Sequence, residues 1–304
     1  VAAGREAGFG FLQLNTNGIR LAADGGYVKA LKDAGLSSVF LQFDGTDDAV
    51  HVELRGRPLA EVKRRAIDAC ADHGIGVVLV PTLVPGVNTG RIASLLQTAV
   101  GLSPAVRGVH FQPISYFGRY PRPIDGSGRI TLPEVMAAIE RQSAGMFLAA
   151  DFRPPGCENA WCSFHADYIV LPGGRVQALH SVRPSSCGCA PLPAEEGARR
   201  AMAHVARQWT APDGKPVESA PPEITSAEAA IGSSGSTPMR LDAFLDRART
   251  HVFTVSAMAF QDAWTLDLER LRECCIHVLD PAHGLVPFCA FNLTAADGRA
   301  LYRR

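Results

Sequence analysis

The chain has 304 residues, 30 Lys and Arg against 30 Asp and Glu, and 47% hydrophobic residues. That length buries a sizeable core as one large domain or two ordinary ones. Zero formal charge removes the electrostatic case for nucleic acid or an anionic membrane as the main partner, and no apolar run approaches the length of a membrane-spanning helix. The opening "VAAGREAGFGFLQLNTNG" begins with Val, has no signal-peptide pattern and reads as a helix end running into a strand. The expectation is a fragment whose natural N-terminus lies upstream.

Residues 1–150 alternate in type. Strands are predicted at 9–18, 38–45, 76–84 and 106–115, and helices at 25–35, 59–74, 89–101 and 131–144. Gly35 stops the first helix, while Thr131 caps the last with Pro133 in its first turn. Apolar strands separated by helices mean βαβ units and a parallel sheet. Such sheets carry their chemistry at the C-terminal ends of the strands. Those ends are polar here: Asn15, Asn17, Gln42, Asp44, Thr82 and Gln112. Asn, Asp and Gly are also ordinary turn residues, so the pattern alone leaves a ligand site and plain loop chemistry both open.

After residue 150 the character changes. Residues 151–304 form a cysteine-rich region with a strand-like stretch at 166–176 and a Pro/Ser/Gly-rich flexible loop near 211–238. A helical segment follows at 241–253. Of eight cysteines, Cys70 falls within a predicted helix and reads as a small buried hydrophobe. The other seven cluster as Cys157 and Cys162 in "GCENAWC", Cys187 and Cys189 in "SCGCA", and Cys274, Cys275 and Cys289 in "CCIHVLDPAHGLVPFC". None has zinc-ribbon spacing. Together they point to metal, because soft thiolates select zinc, copper(I) or iron–sulfur clusters. His165 and His277 stand near cysteines, and a strained vicinal disulfide at Cys274–Cys275 is the competing reading.

Longer words in the chain carry a family resemblance. "FLQLNTNGIRLA", "VFLQFDG", "VVLVPTLVPGVN" and "RGVHFQPISYFGR" resemble successive strands of the partial (β/α) barrel of radical S-adenosylmethionine (SAM) enzymes. "FQDAWTLDLERLRECCIHVLDPAHGLVPFCAFN" resembles the C-terminal signature of the branch that contains tetraether lipid synthase and related bacterial proteins, some of them selenoproteins. The resemblance implies an α/β fold: a partial barrel over residues 1–150 lacking its first strands, and a region at 151–304 that binds auxiliary iron–sulfur or iron centres. It implies SAM and [4Fe-4S] clusters as cofactors, with a mononuclear thiolate-bound iron as a further option. Asn15, Asn17, Gln42, Asp44, Thr82 and Gln112 become candidate contacts to SAM or substrate. Cys157, Cys162, Cys187, Cys189, Cys274, Cys275 and Cys289 become candidate metal ligands.

The implied reaction is reductive cleavage of SAM to a 5′-deoxyadenosyl radical that abstracts hydrogen from carbon, leading to C–C bond formation on lipid chains or to methyl transfer, for example to a pterin-like substrate. A flavodoxin or ferredoxin is the implied electron donor, and a small molecule or lipid the implied substrate. The implied setting is cytoplasmic, with peripheral membrane association if the substrate is lipid. The defining C-x3-C-x2-C is absent from the 304 residues, so this fragment alone is expected not to cleave SAM. A non-catalytic protein with a degenerate barrel and a thiolate zinc or iron site is the alternative. An ordinary (β/α) enzyme with incidental cysteines, predicting no metal, is a third reading.

Overall fold

The computed structural model describes residues 1–117, 128–156, 158–179, 194–212, 239–295 and 297–302. Cys157, Cys187, Cys189 and most of the loop predicted near 211–238 lie outside the described residues. In chain order the strands are β1 (Gln13–Thr16), β2 (Ser38–Gln42), β3 (Gly76–Val80), β4 (Thr82–Leu83), β5 (Val106–Pro113), β6 (Ser163–Val170), β7 (Val176–Ala178), β8 (Val252–Met258), β9 (His277–Asp280) and β10 (Gly284–Pro287). The α-helices are α1 (Ala2–Glu6), α2 (Ile19–Ala23), α3 (Gly25–Asp33), α4 (Asp48–Arg55), α5 (Ala60–Asp72), α6 (Ile92–Gly101), α7 (Leu132–Gln142), α8 (Ala194–Trp209), α9 (Leu241–Thr250), α10 (Leu268–Arg272) and α11 (Phe288–Asn292).

One sheet organises the molecule, in the order β1-β2-β3-β5-β8-β6-β7, with β4 beside β5. Pairings from β1 through β8 are parallel, and β6 and β7 add an antiparallel edge. This is a mixed α/β fold with a mostly parallel, open sheet, matching the partial barrel expected. The sheet runs past residue 150, because β8 joins β5 and β6 joins β8. β9 and β10 form a separate hairpin.

Local chemistry explains the helix boundaries. Asp24 caps α3 by accepting the Tyr27 N–H, and Asp47 caps α4 by accepting from Ala49 and Val50. Thr131 and Glu134 form a reciprocal capping box at the start of α7. Gly56, at φ 73°, ends α4 in the left-handed conformation that glycine tolerates best.

The two faces of the sheet differ. Val39, Leu41, Val77, Leu79, Val109, Phe111, Val255 and Ala257 point to one side and pack with Leu21, Val28, Ile67, Leu96, Val135 and Ile139 of the helices into the core. The alternate residues point to the other side. There β1 places Asn15, β2 Phe40 and Gln42, β5 His110 and Gln112, β8 Thr254 and Ser256, and β6 His165 and Asp167. Parallel sheets are usually apolar on both faces. On this polar face His110, Thr254 and Ser256 are buried, while the strand ends open into a cavity.

Helix α8 crosses the lower part of this polar face. Trp209 at its end packs on Phe40, with ring centroids 4.7 Å apart, and near His110. A side chain at Gly76 would collide with the Trp209 carbonyl, since a Cβ there would lie 2.2 Å from that oxygen.

Candidate active site

A cavity of about 320 Å³ opens where β1, β2, β3, β4 and β5 end, within the usual range for small-molecule sites. Asn15, Thr16, Asn17, Phe40, Gln42, Val80, Thr82 and Gln112 line it. Five of the six strand-end residues singled out from the sequence are thus brought together. The β1 end is held by short-range bonds: Thr16 Oγ1 accepts the Gly18 N–H at 3.1 Å and Asn17 Oδ1 accepts the Ile19 N–H at 3.1 Å. Behind it the buried Lys63 donates to the Asn17 carbonyl at 2.5 Å. Burial lowers the Lys63 ammonium to about 8, opposed by Asp44.

Asp44, the sixth, does not line the cavity. Its carboxylate is buried and accepts Arg55 Nε at 2.8 Å, Arg55 Nη2 at 2.9 Å and the Thr82 N–H at 3.1 Å. Asn88 bridges the Asp44 and Thr82 carbonyls. Asp44 thus fixes the wall from behind. Thr16, Phe40 and Val80 complete the lining without having been expected; Phe40 and Val80 share strand parity with Gln42 and Thr82, but apolar side chains carry no polar signal at a strand end.

Below the cavity the polar face continues. His110 Nδ1 lies 2.9 Å from Ser256 Oγ, and His165 stands in register with Ser256 on the far side. Asp167 accepts from Thr254 Oγ1 at 2.6 Å and meets His204 of α8 at 2.8 Å. Burial drives His110 down to about 4, partly offset by Glu158, and His251 also falls to about 4 through burial and the nearby Arg247 and Arg107.

These shifts predict acid lability. Unfolding frees both imidazoles to bind protons near their ordinary value of 6.5. Stability is then full above that value and declines as pH falls toward 4. The unfolding midpoint is expected to fall between pH 7 and pH 4.5, and His110→Gln to flatten that decline. A decline of unchanged steepness in the variant, measured by thermal melts across that range, would contradict this.

A second, small cavity of about 20 Å³ lies beside the end of β8, lined by Glu158, Cys162, Met258, Ala259, Phe260, Cys274, Ile276, Phe288 and Cys289. It gathers three thiols from three places in the chain. Cys289 Sγ accepts the Gln261 N–H at 3.3 Å, and Cys162 Sγ accepts Arg270 Nε at 3.4 Å. Cys274 turns inward with its thiol 3.1 Å from the Ile276 carbonyl, whereas Cys275 is exposed and its thiol lies 3.7 Å from Glu158. Burial raises the Cys162 and Cys289 thiols, with added repulsion from Cys274 at both, while the Arg270 and Gln261 donors pull them down.

The donor set suits a thiolate-bound centre. Three sulfurs face one space, and two receive N–H bonds of the kind that tune iron–sulfur centres. Among the described residues no three or more His, Cys, Asp or Glu converge closely enough to hold a single metal ion. All five described cysteines are free thiols, which leaves the vicinal disulfide unformed. Cys70 is buried in the helical layer with its thiol pushed up to about 12, as a packed hydrophobe should be. His277 lies exposed on the hairpin.

The chain is similar to known proteins. Residues 2–99 match the Radical SAM superfamily. That stretch runs from α1 into α6 and contains five of the cavity's six polar lining residues, all but Gln112. A relative from Methanocaldococcus jannaschii, 7,8-dihydro-6-hydroxymethylpterin dimethyltransferase, is 29% identical over 95% of this chain and 62% of its own length. The chain therefore spans about three fifths of that curated relative. A solved radical SAM methyltransferase from Sphaerobacter thermophilus matches 43% of this chain and 37% of its own at 15% identity and a TM-score of 0.31, a likeness too slight to bear on fold or chemistry. Among the described residues no helix is long and apolar enough to cross a membrane.

Proposed function

We propose that this chain forms the substrate-side half of a radical SAM enzyme that transfers a methyl group to a small, polar, ring-containing substrate. The cavity at the strand ends carries the reading: amides and hydroxyls of Asn15, Asn17, Gln42, Thr82 and Gln112 converge there over the Phe40 ring. Ribose hydroxyls and an adenine edge need such partners. Bound SAM, reduced by a cluster on residues other than these 304, would supply the radical chemistry. The residues of this chain bind and orient the nucleoside and keep water from it.

The substrate class is read from the polar lining of the cavity. A long alkyl chain needs an apolar wall, since each unpaired polar group it covers costs free energy. The cavity instead offers the amides and hydroxyls of Asn15, Asn17, Gln42, Thr82 and Gln112. The polar lining of the cavity favours a polar ring such as a pterin over a lipid chain, in line with the pterin named for the relative. Cys162, Cys274 and Cys289 would hold an auxiliary iron–sulfur cluster beside it. Their raised thiols would release protons as iron binds. Cys157, Cys187 and Cys189 remain candidate ligands on sequence grounds. A flavodoxin- or ferredoxin-type donor would reduce the SAM-cleaving cluster.

The test is an anaerobic turnover assay on a chain that also carries a C-x3-C-x2-C, with SAM, dithionite and 7,8-dihydro-6-hydroxymethylpterin. Methylated pterin together with 5′-deoxyadenosine supports the proposal. Formation of 5′-deoxyadenosine without pterin methylation would overturn the substrate class, and its absence would overturn the radical SAM reading. The non-catalytic alternative predicts neither product.

A further inference from the structure

The strand-end cavity has a lower limit, and the rings of Phe40, His110 and Trp209 mark it. Side chains on one face of a sheet recur every second residue. His110 therefore lies on the same face as Gln112, one step down β5, and Phe40 one step down β2 from Gln42. Gln112, Gln42 and Phe40 line the cavity, and His110 does not. The Phe40 ring packs against His110, with centroids 5.4 Å apart. Trp209 joins them from the end of α8, 4.7 Å from Phe40 and 6.3 Å from His110. Such separations are those of packed aromatic rings. Beyond them His110, Thr254 and Ser256 are buried.

The Trp209 ring is placed by a fixed backbone. The Gln208 carbonyl accepts Arg107 Nε at 2.9 Å. The Trp209 carbonyl lies flush on Gly76, the first residue of β3, where a Cβ would come within 2.2 Å of it. Thr210 Oγ1 donates to the Ala206 carbonyl at 2.7 Å and closes the last turn of α8. We propose that Trp209 is a specificity-determining residue: packed against Phe40 and His110, it ends the cavity and rejects ligands that carry a bulky group toward His110. The inference rests on the reading of the cavity as a ligand site but not on that ligand being SAM. Rejection is steric. A ring-sized group fits against Phe40, whereas a longer one must displace an indole whose helix is tied to the sheet.

The test uses the full chain and follows, by calorimetry, the binding of adenosine and of adenosines that carry a benzyl group at N6, C8 or O5′. In Trp209→Ala at least one benzyl derivative is expected to gain about tenfold or more over adenosine, relative to wild type. Trp209→Leu, which keeps an apolar filler for the fold, is expected to show a smaller gain for the same derivative. Trp209→Phe should stay close to wild type. A loosened structure alone would weaken every ligand alike and move no ratio. Unchanged ratios across the panel would overturn the proposal.

A second measurement separates this from the ligand reading. A crystal structure of ligand-free Trp209→Ala is expected to show the cavity continuing past Phe40 to the His110 ring. A cavity that still ends at Phe40 would overturn the proposal even if adenosine binds. A continuous cavity in a protein that binds none of the adenosines would sustain the role of Trp209 in ending it and refute only the reading of the cavity as a nucleoside site.

Discussion

The Cys274→Ala protein, reconstituted anaerobically with iron and sulfide, is expected to retain about a tenth or less of the wild-type iron and acid-labile sulfide of its auxiliary centre. The same change at Cys275 is expected to leave that centre largely in place. The two residues are neighbours in sequence, yet Cys274 is half-buried and Cys275 exposed. Cys274 shares a cavity with Cys162 and Cys289, while Cys275 looks outward beside Glu158. Cys162→Ala and Cys289→Ala should behave like Cys274→Ala. Removing Arg270, which bonds the Cys162 sulfur, should leave the iron bound and shift its reduction potential. Equal losses from Cys274→Ala and Cys275→Ala would place both thiols on one centre and contradict the assignment. Zinc in place of iron and sulfide would favour the alternative of a structural metal site.

A second large effect lies far from the cavity. Arg107, at the foot of β5, is almost wholly buried. It donates to the Gln208 carbonyl at 2.9 Å and to the Thr250 carbonyl at 2.7 Å. Those carbonyls close α8 and α9, whose C-terminal ends carry unpaired acceptors and partial negative charge. One buried guanidinium therefore ties two distant helices to the sheet, and burial still drags it down to about 10. Arg107→Met strands both carbonyls and is expected to cost about 3 kcal/mol, from the worth of hydrogen bonds to a charged group. For a chain of this size that lowers the unfolding midpoint by roughly 5–10 °C. Arg107→Lys should recover under half of the loss, because an ammonium cannot reproduce the fork. Arg249→Met, at an exposed position, is the control and should change stability by less than about 0.5 kcal/mol. Equal midpoints for Arg107→Met and Arg249→Met would refute the tie.

Much of the fold was legible because burial writes a period into the sequence. The runs at 76–84 and 106–115 are apolar and β-branched, and both become central strands, with Pro81 splitting the first into β3 and β4. Thr131, Pro133 and Glu134 announce α7 through capping chemistry that needs no tertiary contact. Other elements were hidden. α4 is short, and its start depends on Asp47, which reads equally well as a turn residue. β8 follows a helical stretch in the cysteine-rich half, and only pairing between strands distant in sequence shows that it sits beside β5.

The candidate site divides in the same way. Asn15, Asn17, Gln42, Thr82 and Gln112 could be named from strand parity and position. Asp44 shares that signature, yet its carboxylate turns back to Arg55, a partner eleven residues on that no local pattern selects. Arg55, Lys63 and the His110–Ser256 pair were invisible for the same reason: their roles exist only across elements. The three inward cysteines were visible as a cluster, but nothing in their spacing separates Cys274 from Cys275. That separation comes from the short α10 ending at Arg272 and the chain turning inward just after it.

The most direct measurement is a crystal structure of the chain with S-adenosyl-L-homocysteine. The prediction is nucleoside density in the cavity of Asn15, Gln42, Thr82 and Gln112. Ligand density elsewhere, or an empty cavity at saturating probe, would contradict the assignment of this site to SAM.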